Sequence, residues 1–195
     1  MNNREKILET ALTLFNDQGS QAVTTNHIAK AAGVSPGNLY YHFKNKKVII
    51  LHLFGEMACC YDQVVPDGDT PPIPSFEAMD TMFKQISETE WKYRFLGREL
   101  VSLMDQDPEL KTAFLAKQKE QLMMIEASIV GMIALGLTRP IPEKAIKQIT
   151  QIIWLICIFW NPYLALSGEP VTQERMAESM EMVKLLIEPY IISPQ

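Results

Sequence analysis

The sequence predicts an all-α protein of about nine helices in two domains. Apolar residues recur at helical spacing along most of the 195-residue chain, and no segment shows the apolar–polar alternation of a convincing strand. Residues that start or end helices separate these segments. Residues 24–47 contain two short helices around a glycine-containing turn, and we place the domain boundary directly behind them. The prediction is an N-terminal domain over residues 1–47 and a C-terminal domain over residues 48–195.

The N-terminal domain is predicted to contain three helices. The first ends at Gln18, because Gly19 follows its apolar stripe. At the start of the second helix, Thr24 or Thr25 can accept a hydrogen bond from an unpaired backbone amide. Gly33 suits the left-handed conformation that ends this helix, which a β-carbon resists.

The third helix is predicted to start at Ser35, which can cap it, and Pro36, whose missing amide hydrogen is not needed at a first helical position. Leu39 and Phe43 lie four residues apart and form its buried side. The second and third helices therefore make a helix-turn-helix, whose second member can enter the major groove of DNA. A helical hairpin whose tyrosines merely cover a neighbouring helix is the alternative.

The exposed side of the third helix carries groups suited to DNA. Phenol, imidazole and amide groups can bond phosphate oxygens, and lysines add a salt-dependent attraction. These residues are Gly37, Asn38, Tyr40, Tyr41, His42, Lys44, Lys46 and Lys47. The net charge is −5, but residues 1–47 carry six basic and three acidic residues, or +3, and the remainder carries −8. This asymmetry confines the predicted affinity for nucleic acid to the N-terminal domain.

Residues 31–46, AAGVSPGNLYYHFKNK, resemble the DNA-binding segment of TetR-family transcriptional regulators, with residues 1–18 as the preceding helix. The resemblance covers the first quarter of the chain, and LYYHF followed by KNK is its most specific part. It implies a ligand-released repressor that binds a palindromic operator in double-stranded DNA as a homodimer. The rest of the chain agrees with the family in length and helical layout only.

The resemblance also implies roles for individual residues. Backbone phosphates would be held by Thr25, Tyr40, Tyr41, His42 and Lys46. Base edges would face Asn26, Pro36, Gly37 and Asn38, and Ser35 completes the predicted DNA-binding set. The family often has a basic residue at positions 26 and 36, whereas an asparagine can read adenine through two hydrogen bonds. The operator sequence therefore does not follow from the resemblance.

The remaining helices are predicted from their start and stop signals. Asn45 can cap a helix that runs to about Val64 and connects the two domains. The proline-rich residues 66–74 form a linker, and Ser75 starts the next helix. The run Ser87–Glu90 resembles a capping box, so we expect one helix to end and another to begin there.

Three longer helices complete the C-terminal domain. Asp107 and Pro108 start the longest, which ends near Gly136. Two more are predicted over residues 142–167 and from Thr172 to about Glu188.

The helix over residues 142–167 is apolar nearly all round, so several of its sides must be covered. Its most apolar run, residues 152–166, is shorter than the ~20 residues that span a bilayer, so we predict a core helix and no membrane association. The final helix adds an apolar stripe of Met176, Met180, Val183 and Ile187. Two such helices per subunit predict a homodimer joined by a four-helix bundle. A monomer whose helices cover each other is the alternative.

A ligand cavity is predicted near the centre of the C-terminal domain. Aromatic and methionine side chains suit a small hydrophobic or aromatic effector, although each is individually more typical of ordinary core. The candidates are Trp91, Phe95, Arg98, Met104, Met123, Trp154, Cys157 and Trp160. Arg94 and Arg98 share a helical face. Either they are solvated and partnered by Glu90 and Ser102, or one of them holds a ligand carboxylate.

Other chemistries have little support in the sequence. It contains no phosphate-binding glycine loop, nucleophile elbow or zinc-protease motif, so we predict no enzymatic activity and no cofactor. The three histidines lack metal-ligand spacing, and three cysteines form neither a disulfide framework nor a metal site. A thiol redox sensor and a helical protein-interaction module without specific DNA binding are the alternatives. The N-terminus is charged and amphipathic rather than a signal peptide, which predicts a cytoplasmic protein.

Overall fold

The computed structural model describes residues 2–64, 75–168 and 170–192, and these ranges contain nine α-helices and a 3-10 helix. The predicted all-α fold is confirmed. The helices are α1 (Asn3–Gln18), α2 (Thr25–Ala32), α3 (Pro36–His42), α4 (Lys46–Val64), α5 (Phe76–Lys92), α6 (Arg94–Gln106), α7 (Pro108–Ala134), α8 (Glu143–Leu166) and α9 (Gln173–Ile187). The 3-10 helix covers Glu188–Tyr190, and an isolated β-bridge joins Thr138 to Ile191. The predicted linker over residues 66–74 lies outside the described residues.

Side-chain caps confirm most of the predicted helix starts. In each case a side-chain oxygen accepts a hydrogen bond from a backbone amide two or three residues ahead, at 3.1–3.3 Å. The capping residues are Thr24, Ser35, Asn45, Ser75, Asp107 and Thr172. α1 has a full capping box that the sequence reading did not identify, in which Asn2 and Glu5 each accept from the other's backbone amide.

The predicted helix restart at Ser87–Glu90 is wrong. α5 runs unbroken through it, and the break comes at Tyr93, whose φ of −108° and ψ of 29° separate α5 from α6. Ser87 and Thr89 are buried, and the Thr89 hydroxyl donates to the carbonyl of Gln85 at 2.9 Å. Because that hydroxyl bonds back along its own helix, it does not compete with the backbone for the start of a new one.

By packing, the chain divides into two compact units. The first unit combines Met1–Cys59 with Tyr93–Ala113, and the second combines Cys60–Lys92 with Phe114–Gln195. The first unit therefore contains α6 in addition to α1, α2, α3 and most of α4. This division differs from the domain boundary predicted after residue 47, which stays a prediction.

α6 belongs to the first unit because its apolar side packs on α1. The rings of Phe15 and Phe95 lie 5.1 Å apart between centroids, and both side chains are fully buried. The backbone amide of Phe95 donates to Oδ1 of Asn16 at 3.1 Å. Burying one such aromatic side chain contributes about 1.5–3 kcal/mol, so α6 is a structural part of this unit.

The second unit has its core among α5, α7, α8 and α9. The buried side chains that meet there are Met79, Met82, Phe83, Ile129, Met132, Ile146, Ile149, Ile153, Met180, Val183 and Ile187. The α9 stripe was predicted to help join two subunits, and that assignment is wrong. Met180, Val183 and Ile187 face this internal core instead, and Met176 is also buried. The homodimer itself stays a prediction.

α8 is the helix, among the described ranges, that is long and apolar enough to cross a membrane by length and composition alone. Its most apolar window has a mean hydropathy of 1.6, and 28% of that window is buried within the chain. The helix predicted over residues 142–167 is confirmed as Glu143–Leu166, which has 24 residues. Because core helices of soluble proteins share this composition, one such helix is weak support for a membrane span. The low burial of α8 within the chain is more informative than its hydropathy, because it shows that much of this apolar helix is left uncovered.

Candidate DNA-binding surface and ligand cavity

The turn between α2 and α3 has the geometry of a helix-turn-helix. Gly33 ends α2 with φ 65° and ψ 33°, and its amide donates to the carbonyls of Ala29 and Lys30. This left-handed conformation strains any residue with a β-carbon, so glycine is needed here. Ser35 then caps α3 through the amide of Asn38 at 3.1 Å. The backbone direction of α3 is therefore set by local chemistry that the sequence displays.

Core contacts in the first unit decide which side of α3 is exposed. Ile28, Leu39 and Phe43 are fully buried, as predicted for the latter two. The guanidinium of Arg4 lies 5.5 Å from the centre of the Phe43 ring, on which it forms a cation–π contact. Tyr41 on the other side is 84% exposed. A side chain this open in a well-packed unit is available to a binding partner.

All ten predicted DNA-binding residues lie in the first unit, on α2, on α3 and its cap, or at the start of α4. The exposed ones are Asn26, Ser35, Pro36, Gly37, Tyr40 and Tyr41, and the partly buried ones are Thr25, Asn38, His42 and Lys46. The hydroxyls of Thr25 and Tyr40 are 2.9 Å apart, which joins α2 to α3. Oδ1 of Asn38 is buried and has no hydrogen-bond partner among the described residues. The structure thus brings the set together, while the individual DNA contacts stay predictions.

Lys46 has a structural role that the sequence did not indicate. Its Nζ donates to the carbonyls of Ser20 and Val23, the second at 2.9 Å, and so holds the loop between α1 and α2. Partial burial lowers the pKa of this ammonium group, and the nearby Glu99 carboxylate opposes the shift. Any phosphate contact of Lys46 would be made by an ammonium group that is already bonded to the protein.

The backbone conformation at Gly37 does not require a glycine. A β-carbon there would have Oγ of Ser35 as its nearest neighbour, at 4.0 Å, and φ is not positive. The exposed first turn of α3 therefore has space for a methyl group. Because Gly37 has no side chain, a binding partner can approach the backbone of α3 closely at this position.

α6 is attached to the end of α1 by charged groups. Arg98 donates to the carbonyls of Phe15 at 2.9 Å and Asn16 at 3.2 Å, and pairs with Glu99 at 3.0 Å. The Glu99 carboxylate also accepts from the amide and the hydroxyl of Ser20. These bonds hold α6 against the C-terminal end of α1, where the carbonyl of Phe15 also accepts from the amide of Gly19 at 3.0 Å.

The two interpretations of the arginine pair are both replaced by these contacts. Arg94 bonds Asp17 at 3.4 Å, and Arg98 bonds the end of α1. The predicted pairing with Glu90 and Ser102 is wrong, because α6 packs on α1 within the first unit. Neither arginine is among the described residues that line the cavity.

The second unit encloses a cavity of about 90 Å³. One water needs roughly 10–15 Å³ by this measure, so the cavity has room for a small organic molecule. The lining residues are mostly apolar or aromatic: Tyr61, Met82, Phe83, Ile86, Glu90, Gln121, Met124, Ile125, Ser128, Ile129, Met132, Ile153, Trp154, Cys157, Ile158, Met180, Val183 and Ile187. A concave, apolar site with a few polar groups is typical of small-molecule binding.

Polar groups within this lining are strongly affected by burial. Desolvation raises the pKa of Glu90 to about 8, and it raises the pKa of the Cys157 thiol and the Tyr61 hydroxyl, with Glu90 adding to both shifts. Nε1 of Trp154 is buried and has no hydrogen-bond partner among the described residues. Perturbed and unpaired groups in a cavity are a physical indication of a binding site.

The predicted ligand set is divided by the structure. Trp154 and Cys157 line the cavity. Phe95, Arg98 and Met104 belong to the first unit, whereas Trp91, Met123 and Trp160 belong to the second unit but are not among the cavity-lining residues. The effector contacts themselves stay a prediction.

Glu90 is the lining residue whose omission from the predicted set is most instructive. It follows Met79, Phe83 and Ile86 at spacings of four, three and four, so an acidic residue continues the apolar stripe of α5. That register was visible in the sequence. It was missed because a helix break was expected at Ser87–Glu90, which would have ended the stripe.

No group of three or more histidine, cysteine or acidic side chains able to hold a metal ion occurs within the described ranges. All three cysteines are free thiols.

A helix-turn-helix with an exposed recognition helix, in a chain that also contains an apolar cavity, defines a DNA-binding regulator. Residues 7–53 match the family model described as bacterial regulatory proteins of the tetR family, and residues 63–195 match the model described as bacterial transcriptional repressor. The chain belongs to the TetR family and is a DNA-binding transcriptional repressor. The family resemblance read from the sequence is confirmed, and the protein-interaction alternative is not favoured.

Individual relatives agree with this assignment. The chain is 26% identical to the HTH-type transcriptional repressor KstR2 of Mycolicibacterium smegmatis over 191 residues, covering 89% of this chain and 87% of KstR2. A TetR-family regulator from Marinobacter aquaeolei VT8 has a solved structure with a TM-score of 0.89 and 33% identity, covering 99% of this chain and 93% of that one. AibR, solved with isovaleryl coenzyme A and operator DNA, has a TM-score of 0.68 and 20% identity, covering 97% of this chain and 100% of that one, and shows the shared fold.

Proposed function

We propose that this repressor binds a palindromic operator as a homodimer and releases it when a small hydrophobic or aromatic effector enters the cavity of the second unit. The observation that carries the proposal is the division of α8 into two faces. One face lines the cavity through Ile153, Trp154, Cys157 and Ile158. The other presents large apolar side chains to solvent.

The solvent-facing side of α8 is suited to a second copy of the chain. Its exposed apolar residues recur at spacings of three, four, four and three, with exposures from 42% to 87%: Ile152, Leu155, Phe159, Tyr163 and Leu166. Met182 and Leu185 on α9 are also exposed. A row of apolar residues along one helix is a partner-binding feature rather than scattered surface. Two copies of α8 and α9 related by a two-fold axis would cover it as a four-helix bundle.

Because one helix contributes to both the cavity and the proposed dimer face, effector binding can change the dimer. It does so only if the effector binds the non-DNA-binding arrangement more tightly than the DNA-binding one. Chain connectivity also favours coupling: α5 and α7 line the cavity, and α6 between them packs on α1 in the first unit.

At the DNA, we propose the contacts implied by the family resemblance. Phosphates are held by Thr25, Tyr40, Tyr41, His42 and Lys46, and base edges face Asn26, Pro36, Gly37 and Asn38. The exposure of most of these residues on one motif supports this assignment. The protein acts by binding rather than catalysis, and it acts in the cytoplasm, where its operator lies.

Two measurements test the proposal. Fluorescence anisotropy with DNA flanking the protein's own gene, at two salt concentrations, should show affinity that falls steeply with salt and keeps its sequence preference. Sedimentation velocity should show a dimer. Phe159→Glu, which places a charge in the exposed α8 row, should give monomers with reduced operator affinity.

Leu115→Glu is the matched control, because Leu115 is 50% exposed on α7 and lies outside that row. It should leave both the dimer and operator binding unchanged. A Phe159→Glu protein that remains a dimer with wild-type affinity would remove α8 from the interface. Binding without sequence preference at either salt concentration would contradict operator recognition.

A further inference from the structure

Several polar side chains interrupt the apolar wall of the second unit's cavity: Tyr61, Glu90 and Trp154, together with Gln121 and Ser128. Tyr61, Glu90 and Trp154 come from α4, α5 and α8 respectively. Glu90 acts electrostatically on Tyr61 and on Cys157. Cys157 lies one helical turn after Trp154, on the same side of α8. The three polar groups therefore gather in one part of the cavity.

Trp154 provides a hydrogen-bond donor that the fold does not use. Its Nε1 is buried without a partner among the described residues, and an indole nitrogen donates but does not accept. A buried donor that lacks an acceptor loses the free energy of the bond it made to water. By contrast, Nε1 of Trp160 on the same helix donates to the carbonyl of Arg175 at 2.8 Å. A ligand with an acceptor atom would satisfy Trp154 as the protein satisfies Trp160.

Glu90 and Tyr61 are also donors at neutral pH. No lysine, arginine or histidine is found among the described residues that line the cavity, so nothing there favours a charged carboxylate. Burial raises the pKa of Glu90 to about 8, and a protonated carboxyl donates through its O–H. The pKa of Tyr61 is raised as well, which keeps its hydroxyl protonated. Tyr61, Glu90 and Trp154 therefore present three donors to the cavity, and its described lining contains no cation.

On the basis of the effector cavity proposed above, we propose that its ligand is an uncharged, mainly apolar molecule with an oxygen acceptor, such as an aromatic ketone. The carbonyl oxygen accepts hydrogen bonds from Nε1 of Trp154 and from the Glu90 carboxyl, while the apolar part contacts side chains such as Phe83 and Met124. An anion would lie beside a carboxyl group with no basic partner. A cation would leave the Trp154 donor without an acceptor.

The test uses three probes of nearly equal size on the full-length protein without DNA. Acetophenone has the carbonyl acceptor, ethylbenzene lacks it, and 1-phenylethylamine replaces it with a cation. Isothermal titration calorimetry at pH 7 should rank acetophenone as the tightest ligand. One hydrogen bond to a buried donor corresponds to a preference of about two- to tenfold over ethylbenzene.

Two tryptophan variants form a matched pair. Trp154→Phe removes the unused donor and keeps an aromatic ring, so the preference for acetophenone over ethylbenzene should shrink while ethylbenzene binding stays similar. Trp160→Phe removes a donor that the protein already pairs, outside the cavity lining, and should leave the preference unchanged. Because the readout is a ratio between two ligands, a general loss of stability does not imitate the effect.

A pH series tests Glu90 as a donor. The preference for acetophenone should fall as the pH rises through about 8, where the Glu90 carboxyl loses its proton. The titratable groups that face it, Tyr61 on α4 and Cys157 on α8, have raised pKa values and stay protonated there. Glu90→Gln keeps a neutral side chain with a donor, so its preference should not change across this range.

Three results would overturn the inference: tighter binding of the amine than of the ketone, an unchanged preference in Trp154→Phe, or no binding of any probe. Operator release is then measured separately by adding acetophenone to the protein–DNA complex. Ketone selectivity without any loss of operator affinity would contradict the proposed ligand release and leave the cavity chemistry standing. Loss of operator affinity with no preference for the ketone would support ligand release and contradict the proposed cavity chemistry.

Discussion

One polar cluster in each unit of this repressor shows a contrast in how its groups are bonded. In the first unit, Ser20, Lys46, Arg98 and Glu99 bond to each other or to backbone carbonyls. In the second unit, the Glu90 carboxyl lies in an apolar cavity, and Nε1 of Trp154 has no hydrogen-bond partner among the described residues. Satisfied polar networks specify one arrangement, whereas unsatisfied groups leave free energy that a ligand can recover. The contrast fits a rigid DNA-binding unit and a ligand-responsive unit.

The largest expected effect tests whether α6 belongs to the rigid unit. Phe95→Ala removes a fully buried ring that contacts Phe15, and should destabilise the protein by about 3–5 kcal/mol in denaturant unfolding. Val101→Ala on the same helix, at a 56% exposed position, should change stability by less than about 0.5 kcal/mol. Similar small effects for both variants would show that α6 is not a structural part of this unit.

The next largest effect concerns the buried Glu90 carboxyl of the second unit and the pH dependence of stability that it causes. Burial raises the pKa of Glu90 in the folded protein to about 8, above its ordinary value of 4.5. Between these pH values the unfolded chain ionises while the folded carboxyl stays protonated, so stability decreases as the pH rises. Glu90→Gln should remove this dependence and stabilise the protein at pH 8 by up to about 4 kcal/mol, because one pKa unit corresponds to about 1.4 kcal/mol. Thermal unfolding from pH 5 to pH 8 measures the difference, and parallel curves for both proteins would contradict the assignment.

A smaller effect is expected from breaking the polar network of the first unit. Glu99→Ala leaves the amide and hydroxyl of the buried Ser20 without their acceptor, at a cost of about 1–3 kcal/mol. Operator affinity should fall too, because Ser20 lies in the loop that Lys46 holds near the helix-turn-helix. Asp105→Ala, an exposed change on the same helix, is the control for both measurements. Full operator affinity in Glu99→Ala would separate this network from DNA binding.

The smallest expected change in stability lies at the DNA surface. Gly37→Ala fits sterically and should stabilise α3 by roughly 0.5–1 kcal/mol, because alanine favours a helix over glycine. The added methyl group should nevertheless weaken operator binding if the backbone approaches DNA closely at this point. Anisotropy with the same operator tests this, and unchanged affinity in a stabilised protein would remove Gly37 from the interface.

Local chemistry made much of the fold predictable. Caps such as Ser35, Asn45 and Thr172 act within three residues of themselves, so their positions could be read directly and are confirmed. The family is confirmed for the same reason, because the helix-turn-helix and its surface form one continuous stretch. Where the same residue types face a core, the rule fails, as Ser87 and Thr89 show.

The site in the second unit was less predictable, because a cavity is defined by residues far apart in the chain. Two members of the candidate ligand set, Trp154 and Cys157, line it. Phe95 and Arg98 looked equivalent to them in sequence, but α6 packs on α1. An apolar stripe predicts that one face of a helix is covered, but it does not predict which other helix covers that face.

The sequence by itself determined most of the helices, the helix-turn-helix and the charge that separates a DNA-binding end from the rest, because these depend on neighbours along the chain. Only the tertiary structure decided that α6 packs with the DNA-binding helices, that the α9 stripe faces its own core, and that Glu90 and Trp154 share a cavity. Packing partners are chosen by shape and burial among all the helices together. That choice has no local signature in the sequence.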